Sequence, residues 1–208
     1  MKDKMLALIA GILMVFSYSP FNLWLIAPFA IATLFYLNRN VSAKTAASHG
    51  FIFGLGWFGA GISWVHVSIA EFGGLPLIAS LLLMVILVSY LSLYPTLACW
   101  LSHKFSNKNT LSITYLALFI PLFILMEYLR GTLLTGFPWL SFGYTLTDSP
   151  LNNLAPWIGE TGLTAVSLLL GFAIYALSQR SLKPAGVIAS VFLLALGFAR
   201  FSPSVSYR

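Results

Sequence analysis

The sequence predicts an all-α, polytopic membrane bundle of about seven transmembrane helices, and three observations lead there. Of 208 residues, 59% are hydrophobic and only 8% are charged, against about 25% charged in ordinary globular domains. Mean hydropathy is +0.91. Long apolar runs separated by glycine, proline and polar breakers succeed one another along the chain, without the alternation of a β-barrel strand. Five acidic and eleven basic residues cannot clothe a soluble surface, and the single cysteine, Cys99, cannot form an internal bridge. A soluble domain, a disordered chain and a disulfide scaffold are therefore excluded.

A spanning helix takes roughly 20 apolar residues, and suitable runs fall near 4–18, 23–38, 46–68, 74–102, 111–134, 160–179 and 184–201. The first two are read as a hairpin of short helices, because Pro20 and Asn22 interrupt an otherwise continuous apolar stretch. Charge agrees: Lys2 and Lys4 precede the pair, Arg39 and Lys44 follow it, and the positive-inside rule then wants an even number of crossings between them. The third span holds Gly50, Gly54, Gly56, Gly59 and Gly61 among Phe51, Phe53, Trp57 and Phe58. Its Gly50-x-x-x-Gly54 pair suits close approach of two helix backbones, or alternatively a smooth groove for a substrate. Lys104 and Lys108 lie between the fourth and fifth spans, and Arg180 and Lys183 between the sixth and seventh. Eight of the eleven basic residues thus fall on one side, while the connections around 19–22, 69–74 and 135–159 hold no Lys or Arg. The N-terminus is expected in the cytoplasm and the C-terminus, after seven crossings, on the opposite side. This one-sided distribution also removes nucleic acid as the partner implied by the net charge of +6. The basic start followed by an apolar run is similar to a signal peptide, but Tyr18-Ser19-Pro20-Phe21 stands where small cleavage-site residues would be, so the first span is read as uncleaved.

The residues able to carry chemistry gather toward the outer side. Trp64 and His66 end the third span and Glu71 follows; a ring with one polar edge suits the headgroup layer, or it handles a lipid headgroup or substrate. Glu127 and Arg130 are three apart on the fifth span, where ionisable groups are costly and either pair with each other or face the phosphate or carboxylate of a ligand. The run Gly136-Phe137-Pro138-Trp139-Leu140-Ser141-Phe142-Gly143-Tyr144, with Trp157 further on, is an aromatic, glycine-rich outer connection. It either plugs the bundle and seats its tryptophans at the interface or lines a functional cavity. Cys99 and His103 share a helical face as a nucleophile and base would, but at the inner end and without an orienting acid, so no catalytic role is assigned to them. His49, His66 and His103 lack metal-ligand spacing, and neither a metal nor a cofactor is expected.

At Trp64-Val-His-Val-Ser-Ile-Ala-Glu-Phe-Gly-Gly74, Tyr90-Leu-Ser-Leu-Tyr94, Glu127-Tyr-Leu-Arg-Gly131, Thr135-Gly-Phe-Pro-Trp139 and Phe142-Gly-Tyr-Thr-Leu-Thr-Asp-Ser-Pro150, the chain resembles the bacterial apolipoprotein N-acyltransferases. Ser19-Pro20-Phe21 and Leu154-Ala155-Pro156 belong to the same pattern, which runs in order along essentially the whole chain. The resemblance implies an inner-membrane enzyme that moves an acyl chain from a phospholipid donor, through a thioester, to the N-terminal cysteine amine of a diacylated apolipoprotein. It also implies seven spans followed by a periplasmic nitrilase-like domain with a Glu-Lys-Cys triad and a closing span. Only eight residues follow Arg200, too few for that domain. The expectation is accordingly a truncated membrane platform, inactive alone or completed by a nitrilase-like domain on another chain, with no catalytic residue of its own. Glu71, Glu127, Glu160 and Cys99 lie on no catalytic motif. By the resemblance, Phe137, Pro138, Trp139 and Tyr144 shape the lipid-facing mouth, and His66 stands where an aromatic residue would also fit. The alternatives are a non-catalytic lipid-binding or assembly protein and, behind it, a small-molecule transporter, for which the internal symmetry is lacking.

Overall fold

The computed structural model describes residues 1–106 and 110–181, together with Gly186 and Gly197. Apart from those two glycines, the expected span 184–201 lies outside the described residues, as do Lys108, Lys183, Arg200 and Arg208. The described chain is helical throughout, with α1 (Lys2–Met14), α2 (Ile26–Leu37), α3 (Ala43–Gly61), α4 (Val65–Glu71), α5 (Leu77–Phe105), α6 (Ile113–Thr132) and α7 (Ala155–Ser178), joined by short 3₁₀ turns. The all-α membrane class is thus found.

The count of about seven spans is not reached among the described residues. Three stretches, Leu77–Phe105, Ile113–Thr135 and Pro150–Ser178, are long and apolar enough to cross a membrane, and α3 with α4 makes a fourth if the pair, bent by 53°, is taken as one. The first two expected spans are present as a hairpin, but α1 has 13 residues and α2 has 12. At about 1.5 Å per residue each reaches only about 20 Å, short of a hydrocarbon core of about 30 Å. The expected single span 46–68 is divided at Ile62–Trp64, and just before the break the Leu140 side chain packs against Gly61. The span expected at 160–179 matches a break inside α7, where Gly159 adopts φ +65°, a left-handed conformation that glycine enters without penalty.

Local chemistry starts the helices. Ser42 Oγ accepts from the Thr45 amide at 3.2 Å, and Ser112 Oγ accepts from the Thr114 amide at 3.1 Å, satisfying donors that the first turns of α3 and α6 leave unpaired. Packing then orders them. The helix α3 lies between α1 and α5, and its glycines are what let it do so. A Cβ on Gly50 would come within 2.7 Å of the Pro95 carbonyl oxygen, and one on Gly54 within 2.8 Å of Ser92 Cα; on the opposite face Gly56 fits directly against the Leu8 carbonyl. Of the two readings of Gly50 and Gly54, the geometry gives backbone packing, not a substrate groove.

The core is an aromatic column. Phe35, Tyr115, Phe119, Phe123, Phe142 and Trp57 follow one another with centroid separations of 4.9 Å for Phe35–Phe119, 5.3 Å for Phe123–Phe142 and 5.7 Å for Trp57–Phe142. At the inner end of the column, buried polar groups tie four helices together. His103 Nε2 meets the Asn38 carbonyl at 2.8 Å, His49 Nδ1 meets Asn38 Oδ1 at 2.9 Å, Asn38 Nδ2 donates to Cys99 Sγ at 3.6 Å, and Tyr115 Oη lies 3.2 Å from His103 Nδ1. The imidazole of His103 thus meets the Asn38 and Cys99 carbonyls and the Tyr115 phenol.

Candidate functional site at the outer end

Residues 133–154 connect α6 to α7 through three short 3₁₀ turns, which pair only part of their backbone groups. Side chains pair several of the others. Arg130, near the end of α6, is 1% exposed. Its Nε donates to Glu127 Oε1 at 3.1 Å and its Nη2 to Glu127 Oε2 at 2.9 Å, a two-pronged ion pair across one helical turn. The remaining terminal nitrogen, Nη1, donates to the carbonyls of Phe137 at 2.5 Å and Trp139 at 2.8 Å. The Phe137 amide donates back to the Arg130 carbonyl at 2.8 Å. The guanidinium also lies 5.5 Å from the Phe58 ring centroid, on α3.

Glu127 serves the loop as well as the arginine, since its Oε2 accepts from the Phe142 amide at 2.9 Å. A second carboxylate comes from α7: Glu160 Oε1 accepts from the Gly143 amide at 3.2 Å, from Thr164 Oγ1 at 3.1 Å and from Ser141 Oγ. Ser141 Oγ also stands 3.4 Å from Glu127 Oε2, so one hydroxyl bridges the two acids. A side chain at position 143 would overlap the Glu160 carbonyl, so loop and helix approach as closely as glycine permits. Tyr18, from the α1–α2 turn, donates to the Leu140 carbonyl at 3.0 Å. Beside these groups an open depression of about 230 Å³ is lined by Glu127, Tyr128, Pro138, Ser141, Tyr144 and Glu160, among others.

Of the residues singled out in the sequence, the structure brings Glu127, Arg130, Phe137, Pro138, Trp139 and Tyr144 into one cluster. Trp139 and Tyr144 point outward, 57% and 51% exposed. Trp64 is exposed too, at the bend between α3 and α4. His66 is half-buried and its Nδ1 meets the Ser63 carbonyl one turn back, while Glu71 is exposed at the end of α4. Neither His66 nor Glu71 has a bond to the Glu127–Arg130 cluster. Arg130 is buried and its four hydrogen bonds go to Glu127 and two loop carbonyls, the paired reading of its charge, while it also lines the depression beside them. Sequence reasoning missed Glu160 and Ser141. The available signal was the cost of a carboxylate entering a long apolar helix, which demands a partner that spacing alone does not name. Among the described residues no group of three His, Cys, Asp or Glu side chains is placed to hold a metal.

Residues 10–173 match the family described as the apolipoprotein N-acyltransferase N-terminal domain. The chain is 42% identical over 196 residues to an apolipoprotein N-acyltransferase of Photobacterium profundum, covering 94% of this chain and 37% of the relative. It is 39% identical to that of Pasteurella multocida, over 97% of this chain and 39% of the relative, and 41% identical to that of Methylococcus capsulatus, over 93% and 39%. The chain therefore spans about two fifths of the length of these curated relatives.

Proposed function

The chain belongs to the apolipoprotein N-acyltransferase family, and from that premise we propose that it forms the membrane platform on which such an enzyme transfers an acyl chain from a phospholipid to the N-terminal cysteine amine of a diacylated apolipoprotein. Its apolar helices and its family fit an inner-membrane protein. In our reading the N-terminus is cytoplasmic, and the loop 133–149 faces the periplasm beside the nitrilase-like domain that carries the chemistry, whether on the same chain or another.

One observation supports this most: an aromatic loop, held rigidly by buried charges, presents Trp139 and Tyr144 outward at the end of the bundle opposite the basic residues Arg39, Lys44 and Lys104. Physical chemistry explains why an acyltransferase needs such a feature. Withdrawing an acyl chain from the bilayer costs about 0.8 kcal/mol for each CH₂, so the ester must be reached at the surface with its tail still in an apolar environment. Indole and phenol rings suit that boundary, since their bodies are apolar and their edges form hydrogen bonds. A fixed aromatic rim would hold the ester against the nucleophile, and positioning of this kind lowers the barrier without taking part in bond making.

The experiment is acylation of a diacylated lipopeptide in phospholipid vesicles holding this chain together with a nitrilase-like domain. We expect turnover with both components, none with this chain alone, and a drop of about tenfold for Trp139→Ala. Unchanged kinetics in Trp139→Ala would show that the loop is only a plug, and N-acylation by these 208 residues alone would refute the division of labour.

A further inference from the structure

We propose that Glu160 and Ser141 are positioning residues that latch the outer loop to α7 and so set where Trp139 and Tyr144 stand; the consequence for acylation rests on the reading above, whereas the latch itself does not. The loop has two attachments of different origin. Arg130 and Glu127 hold it to α6, the helix from which it emerges, through the carbonyls of Phe137 and Trp139 and the amide of Phe142. Glu160 holds it to α7, across the fold, through the Gly143 amide and the Ser141 hydroxyl, while Thr164 one turn later donates to the same carboxylate oxygen.

Beside these two charged attachments, Tyr18 Oη donates to the Leu140 carbonyl, Leu140 packs on Gly61, and the Phe142 ring meets Trp57 and Phe123. Those contacts fix Leu140 and Phe142, whereas the Gly143 amide and the Ser141 hydroxyl are held by Glu160 of α7, and this grip sets the angle at which the chain leaves toward Tyr144. Three non-glycine residues of the connection between α6 and α7, Leu134, Thr135 and Leu140, have φ between +53° and +72°, a conformation that persists only where the surroundings over-determine the backbone. Gly159 adds a break immediately before Glu160, which turns the first turn of α7 away and leaves the carboxylate facing the loop. The gripped residues Ser141–Gly143 lie between Trp139 and Tyr144 in sequence, so releasing them moves both rims of the mouth at once.

Hydrogen exchange of the full chain in phospholipid vesicles, read over residues 137–144, tests the latch directly. Glu160→Ala should speed exchange there roughly tenfold and leave α5 unchanged, as loss of charge-assisted bonds opens the segment locally. Glu160→Gln should restore slow exchange, because its amide oxygen still accepts from Gly143, Ser141 and Thr164. Ser141→Ala, which leaves the carboxylate in place and guards against a Glu160 variant that fails to fold, should show a smaller increase in the same segment. Exchange in Glu160→Ala equal to the parent would overturn the proposal, and Glu160→Gln behaving like Glu160→Ala would overturn its account of the latch as acceptance by the side-chain oxygen. With a nitrilase-like domain supplied, the latch variants should raise KM for phospholipid more than they lower kcat. Faster exchange with unaltered acylation would leave the latch standing and sink the mouth reading instead.

Discussion

The bundle has a buried polar network at each end, and the two are built on opposite principles. At the inner end Asn38, His49, His103, Tyr115 and Cys99 are side chains of regular helices or their caps, and they bond mainly to one another. At the outer end Arg130, Glu127 and Glu160 are ionisable, and four of their bonds go to the backbone of an irregular loop. The difference follows from what each end must satisfy. Helices pair their own backbone groups, so polar but uncharged side chains suffice to join them. A loop without regular structure leaves amides and carbonyls without partners, and charged donors and acceptors make the stronger bonds to them. Where buried charge holds backbone as well as pairing with charge, the held backbone is the feature worth testing.

The largest expected effect tests that contrast. Arg130→Ala would leave Glu127 uncompensated and two carbonyls without a donor, costing about 3–5 kcal/mol, seen as a lowered midpoint of thermal unfolding in detergent. The double substitution Glu127→Gln with Arg130→Met sharpens it. If the two charges only served each other, an apolar replacement would recover most of the loss; because they hold Phe137, Trp139 and Phe142, we expect the double variant to stay close to Arg130→Ala. At the inner end Asn38→Ala removes a partner from both His49 and Cys99 and should cost about 1–3 kcal/mol in the same assay, while turnover of the surviving folded enzyme is kept. Lost turnover there would erase the distinction between the two ends. The smallest effect on stability is expected for Trp139→Ala, within about 0.5 kcal/mol, since an exposed ring contributes little to packing. This variant should divide the two readouts, with unfolding unchanged and acylation reduced.

Much of the architecture was legible in the sequence because bilayer physics leaves few choices. Apolar runs of spanning length become helices, and the runs at 74–102 and 111–134 correspond to Leu77–Phe105 and Ile113–Thr132 within a few residues. The Pro20–Asn22 interruption marked the hairpin of α1 and α2 correctly. Their shortness was legible too, because the break at Pro20–Asn22 leaves each arm too few residues to reach across a bilayer, and α1 and α2 have 13 and 12 residues. The bend at Ile62–Trp64 was not legible, since no proline or charge marks it and its neighbour Leu140 comes from some eighty residues away.

The candidate site divides in the same way. Glu127 with Arg130 was readable, since residues three apart on a helix face one another and ionisable groups in a membrane need partners. That Arg130 would also bond two loop carbonyls was not, and neither was the arrival of Glu160 and Ser141. By itself the sequence determined the helical class, the family and the aromatic character of the connection between α6 and α7, all of which follow from residue type and local spacing. Only the tertiary structure decided which buried charge holds which backbone group. An irregular loop has no period from which its partners are read, and the partners it finds are set by how α3, α6 and α7 converge around it.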